Sequence, residues 1–179
     1  MKKQKPYLQG ALDSLCAVYG IVNAAKIISN ISEDEARQLF NDILIYLEKK
    51  HLLTEALTNG IILGLVGSIL KDVAIDKIPD RHMPFKHKTQ LTLDRFWADM
   101  STFLGMPNRA ILMAVNGYMW DHWSVISHVT DTHIYFFDSL KLKNFLRSRC
   151  TIIKATKARP HLLCPSHAYF LSKEGNRDE

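Results

Sequence analysis

Apolar residues recur at helical spacing through the first hundred positions and at strand-like density after Pro107. Val18, Ile21, Val22 and Ala25 mark the first helical stripe, with Asp13 or Ser14 placed to cap it. The segment "ISEDEARQLFNDILIYLEKK" carries the clearest helical signal. Ala36, Leu39, Phe40, Ile43, Leu44 and Leu47 share one face, and Ser32 with Glu35 forms a capping-box pattern. "GIILGLVGSILKDV" is apolar nearly all round and predicts a third, buried helix beginning near Gly60. "TLDRFWADMSTFL" predicts a fourth, with Thr92 or Asp94 near its start. Residues 76–90, with Pro79, Pro84 and several basic side chains, read as an exposed loop.

After Pro107 the period shortens. "AILMAV", the dipeptide Asn116-Gly117, "HWSVISHV", "TDT" and "HIYFFDSL" predict antiparallel strands joined by tight turns. "CTIIKA" and "HAYFLS" add two more strands. Helices followed by a strand meander predict an α+β fold. No linker interrupts the chain, so residues 1–179 read as a single domain. A helical lobe of about residues 1–106 would pack against an antiparallel sheet lobe of about 107–179.

A chain of 179 residues is long enough to bury a substantial core. Its net charge of +5 is spread over scattered lysines, apart from "KKQK" at the start, and reads as a solvated surface. No phosphate loop, dinucleotide fingerprint or nucleic-acid aromatic motif occurs, so neither a cofactor nor a nucleic-acid partner is expected. The longest uncharged stretch, Ala56 to Leu70, holds 15 residues and three glycines. A membrane span needs about 20, so no membrane partner is expected. Gln9 and Asp13 interrupt the apolar run a signal peptide would need, and three sparse cysteines fit a reducing compartment. A cytoplasmic location is therefore expected.

Candidate chemistry begins at Cys16, near the mouth of the first helix. A free cysteine is commonly a small buried hydrophobe. At a helix N-terminus, unpaired N–H groups and the positive end of the dipole can instead stabilise a thiolate, and the oxyanion formed by its attack. Gln9 could add a side-chain N–H to that oxyanion hole. "DHWSVISHVTDTHIYFFDSL" supplies the other partners: His122 begins one strand and Asp138 ends the next. A three-residue loop "TDT", with Val129 opposite His133, would set Ser124 opposite Asp138 and His122 diagonal to it on the same face. A two-residue loop would turn Asp138 to the other face. In the first register His122 takes the thiol proton, Asp138 holds its tautomer, and Trp123 points into the core. His128 shares the His122 face and is the alternative base.

These residues carry a resemblance. Gln9 and Cys16 heading a helix, with a His-led and an Asp-ended strand much later, resemble a papain-like cysteine peptidase. Among these the pattern is most similar to the bacteriocin-processing peptidase domain, and "RAILMAVNGYMWDHWSVI" resembles that family's approach to its histidine. The likeness covers about 60 residues at the two ends and leaves 30–106 unmatched. Ser139 stands after Asp138 where that family has Pro, Ala17 follows Cys16 where it has Gly, and the Gln–Cys separation is one residue longer. "HWSVI…IYFFDSL" also resembles the His–Asp hairpin of SUMO and ubiquitin-like proteases, in which the cysteine follows the aspartate. The resemblance implies a papain-like fold and a thiol hydrolase that acts on a protein or peptide substrate. Cys16, His122, Asp138 and Gln9 would form its catalytic set.

Three other readings compete. "HLLCPSH" spaces His161, Cys164 and His167 three residues apart, with Cys150 upstream, and such ligands are zinc-competent. Pro165 and strand alternation oppose that cluster, so no metal is expected. The same thioester chemistry can also serve a transglutaminase, deamidase or acyltransferase, and the scaffold can persist as a non-enzymatic interaction protein. His51, His82 and His87 lie among lysines and apparent loops and read as solvated, while Gly60, Gly64 and Gly67 read as close packing.

Overall fold

A computed structural model of the protein describes residues 4–117 and 121–173. The fold is α+β. Its helices are α1 (Cys16–Ser29), α2 (Glu33–Lys49), α3 (Leu53–Asn59), α4 (Leu63–Asp72) and α5 (Leu93–Leu104). Its strands are β1 (Asp80–His82), β2 (Arg109–Asn116), β3 (Asp121–Val129), β4 (His133–Phe136), β5 (Asn144–Leu146), β6 (Cys150–Thr151) and β7 (His161–Ser172). They form one sheet in the order β1-β7-β2-β3-β4-β5, antiparallel except that β6 runs parallel to β7. Among the described residues, no helix is long and apolar enough to cross a membrane.

Alternation along the central strands divides the core in two. Ala110, Leu112, Trp123, Val125 and Leu171 face α1 and share one core with the buried residues of α2 and α4. Ile111, Met113, Val115, Ile126 and Phe170 face α5. The helices therefore do not all gather in one lobe: α5 covers the sheet face opposite α1, and the sheet is the middle layer. Each fully buried Leu or Ile contributes about 1.5–3 kcal/mol by leaving water, so burial on both faces holds the central strands between the helical layers.

The local signals at α2 and α5 appear as expected. Ser32 Oγ accepts the Glu35 N–H at 3.2 Å, and the Glu35 carboxylate accepts the Ser32 N–H at 2.8 Å. Thr92 Oγ1 caps α5 by accepting the Arg95 N–H at 3.2 Å. Other elements differ from the sequence pattern. Ile62, at the start of α4, is 76% exposed, so that helix shows one face to solvent despite its apolar composition. The short helix α3 was not foreseen. The segment 76–90 is no simple exposed loop: Ile78 and Phe85 are buried, and β1 pairs with β7. His82 there is half-buried against Phe103 and Phe170 instead of solvated, and burial lowers its pKa. Asn116 does not form a tight turn with Gly117. It still pairs with Asp121, and the connection runs through 117–120, of which 118–120 lie outside the described residues.

Candidate active site

Cys16 is the first residue of α1, but neither Asp13 nor Ser14 caps that helix. Leu15 holds the cap position and supplies no side-chain acceptor. Asp13 Oδ1 instead accepts the Leu15 N–H at 3.0 Å, and Ser14 is tied to α3, its N–H on Leu57 O at 2.9 Å and its Oγ on Thr58 O at 3.0 Å. Without a side-chain cap, the first-turn N–H groups of α1 keep their donor capacity at the end that bears Cys16. Gly60 lies against Ser14 at φ 83° and ψ −168°, a conformation open almost only to glycine. The α3–α4 connection that it makes is one wall of a cleft of about 140 Å³, which Cys16, His122 and Trp123 also line.

The register that joins His122 to Asp138 arises from two deviations that cancel. Val129 pairs with Ile134, not with His133, so the hairpin loop is one residue longer than expected. A bulge at Ser127, between the pairs Ile126–Phe136 and His128–Tyr135, shifts the register back. Ser124 consequently meets Asp138, its Oγ donating to Oδ2 at 2.7 Å. The bulge also reverses the alternation. Ile126 and Val129 both face α5, whereas His128 turns to the exposed side beside Tyr135 at 5.8 Å. His128 therefore does not share the His122 face, and the sequence-based alternative base is corrected.

His122 Nε2 stands 2.5 Å from Asp138 Oδ2, with both residues buried. Asp138 Oδ1 accepts the N–H groups of Leu140 at 2.8 Å and Leu142 at 2.9 Å. Burial by itself pushes the Asp138 carboxyl up. The hydrogen bond and charge of His122, with the Ser124 and Leu142 donors, outweigh burial and hold it below its ordinary 3.8. Burial likewise opposes charging His122, but hydrogen bonds and charge from Asp138 and Cys16 raise the imidazole to about 9. The imidazole is thus bonded to the Asp138 carboxylate and shares a cleft with the Cys16 thiol.

Gln9 is held beside the start of α1. Its Nε2 donates to Asp13 O at 2.5 Å, while Oε1 is buried without a hydrogen-bond partner among the described residues. The Gln9 backbone N–H donates to Ser139 O at 3.1 Å, joining the N-terminal segment to the loop after Asp138. Gln9 is not among the residues lining the Cys16 cleft. Trp123 is buried on the α1 face as expected, with Nε1 donating to Ile61 O at 3.2 Å.

The other cysteines have different surroundings. Burial pushes the Cys150 thiol up to about 12, and burial with the charge of Asp121 pushes Cys164 up to about 11. Among the described residues, no three His, Cys, Asp or Glu side chains are grouped to hold a metal ion. His161 stacks on Phe145 at 3.8 Å, whereas His167 lies 6.4 Å from Trp123. An irregularity in β7 separates them: Met113 pairs with Ala168 but Val115 pairs with Leu163, so residues 164–167 bulge opposite Ala114.

Comparison with known proteins places no relative beside this geometry. The chain matches no family model, no curated protein and no solved structure. The site therefore stands on its own atoms. Sequence reasoning assigned no role to Ser124, Gly60 or Asp121. A signal for Ser124 was present, since the register that pairs Asp138 with His122 also sets Ser124 opposite Asp138. Gly60 gains its importance only from a contact with Ser14 across 46 positions of chain, and Asp121 from the strand face it occupies.

Proposed function

We propose that the protein is a papain-like thiol hydrolase acting on a protein or peptide substrate. The observation that carries this reading is that one buried imidazole, His122, is bonded to Asp138 and lines the same cleft as Cys16. A raised imidazole favours the protonated ring, the form that pairs with a thiolate. Cys16 attacks the substrate carbonyl, and a C–S bond forms as the oxyanion develops. The first-turn N–H groups of α1 stabilise that oxyanion, whereas the Gln9 amide, turned to Asp13 O and outside the cleft lining, takes no part in it. His122 gives its proton to the departing amine as the C–N bond breaks, leaving a thioester. Water then attacks the thioester, His122 accepts its proton, and the acid and free thiol are released. Asp138 keeps the ring in the required tautomer, and Ser124 orients Asp138. Three free cysteines agree with work in a reducing cytoplasm.

Limiting iodoacetamide, applied to the native protein and mapped by mass spectrometry, tests the reading. Cys16 is expected to be alkylated well before Cys150 and Cys164, and His122→Ala to slow its labelling. Labelling of Cys16 no faster than the other two thiols, or unaffected by His122→Ala, overturns it.

A further inference from the structure

Asp121 opens β3 one position before His122, directly opposite Asn116. Strand alternation sends its side chain to the α1 face, the face that Trp123 occupies. It lines the same cleft as Cys16 and His122. Among the described lining residues it is the only acid, and none is Lys or Arg. The carboxylate is exposed, and no described group pairs with it. His122 is already committed to Asp138, so it does not neutralise this second negative charge. An isolated anion at the mouth of a small cleft, in a protein of net charge +5, is poised to attract a cation from outside.

We infer that Asp121 is a specificity-determining residue that selects substrates with a cationic side chain, Lys or Arg, beside the carbonyl presented to Cys16. The inference rests on the proposed hydrolase reading and deepens it by fixing the charge of the substrate. As the carbonyl approaches the thiol, the ammonium or guanidinium pairs with Asp121. A neutral isostere gains no such attraction, and an acidic one is repelled.

Charged thiol reagents test this without a known substrate. Methyl methanethiosulfonate is neutral, its trimethylammonium-ethyl analogue cationic and its sulfonatoethyl analogue anionic. In each reaction the Cys16 thiolate attacks the sulfenyl sulfur, a mixed disulfide forms and methanesulfinate leaves. Rates at Cys16 are read by mass spectrometry and normalised to the neutral reagent for each variant. Asp121→Asn is expected to lower the cation-to-anion rate ratio about tenfold at low ionic strength, with the difference shrinking in about 0.5 M salt. Asp121→Lys is expected to lower it further. A ratio unchanged in both variants overturns the inference. So does failure of all three reagents to reach Cys16, since a cleft closed to them admits no peptide side chain. The catalytic reading fails by a separate result: His122→Ala leaves the neutral rate unchanged while the charge ratio still depends on Asp121.

Discussion

Raising the pH from about 5 to about 8.5 strips a proton from the unfolded chain that the folded protein still largely holds. The group is His122, whose imidazole rises from the ordinary 6.5 to about 9 in the fold. Its side chain is 5% exposed, so little solvent screening reduces the effect. A folded-state value above the unfolded one contributes stability that is fully present below about 6.5 and lost as pH rises through about 9. That contribution is about 3 kcal/mol at pH 5 and about 1 kcal/mol at pH 8.5, a loss of about 2–3 kcal/mol. Urea unfolding of the wild type and of His122→Gln across this range measures it, because the glutamine does not titrate there. The difference between the two curves reports the imidazole together with its coupling to Asp138. Cys150 and Cys164 have raised thiols, whose contributions are lost only from about pH 9 upward, beyond the window. A difference curve flat to within about 0.5 kcal/mol would refute the claim that Asp138 and Cys16 hold His122 protonated.

Three further substitutions probe the supports of the site. Ser124→Ala removes the 2.7 Å donor to Asp138 and should cost about 1–3 kcal/mol in urea unfolding. Because Asp138 stabilises the fold above its lowered pKa and loses that effect as pH falls through it, the variant should also begin acid unfolding at a higher pH. Asn23→Ala deletes a fully buried amide that accepts the Tyr7 N–H at 2.8 Å and donates to Tyr7 O at 3.1 Å. It should cost about 2–3 kcal/mol and expose the segment before α1 to limited proteolysis. Gly60→Ala places a Cβ at φ 83°, 3.4 Å from Ser14 O, and should lower the thermal midpoint by an amount equivalent to about 1–3 kcal/mol.

Much of the architecture was legible because it is written locally. The Ser32–Glu35 capping box needs only three residues of separation, and the Thr92 cap of α5 likewise. The stripes of α1 and α2 and the alternation of β2 and β3 follow from a helix or strand burying one face. Cys16 at a helix start was readable for the same reason, although its flanking residues misled. Asp13 and Ser14 are both good caps by type, yet each spends its hydrogen bonds elsewhere, Ser14 on a carbonyl 44 positions away.

The sequence by itself determined the α+β order, the helix that carries Cys16, the strand that carries His122, and the next strand, which ends two residues before Asp138. It also limited the register, because a slip of one residue would turn Asp138 from the His122 face. Only the tertiary structure decided that a longer hairpin loop and the Ser127 bulge offset each other, turning His128 outward while keeping Ser124 on Asp138. It alone put α5 on the far face of the sheet, recruited β1 from an apparent loop, and brought the α3–α4 connection around Gly60 to the cleft. Those outcomes depend on pairings and packing between residues far apart in the chain, whose energies no local pattern of polar and apolar positions contains.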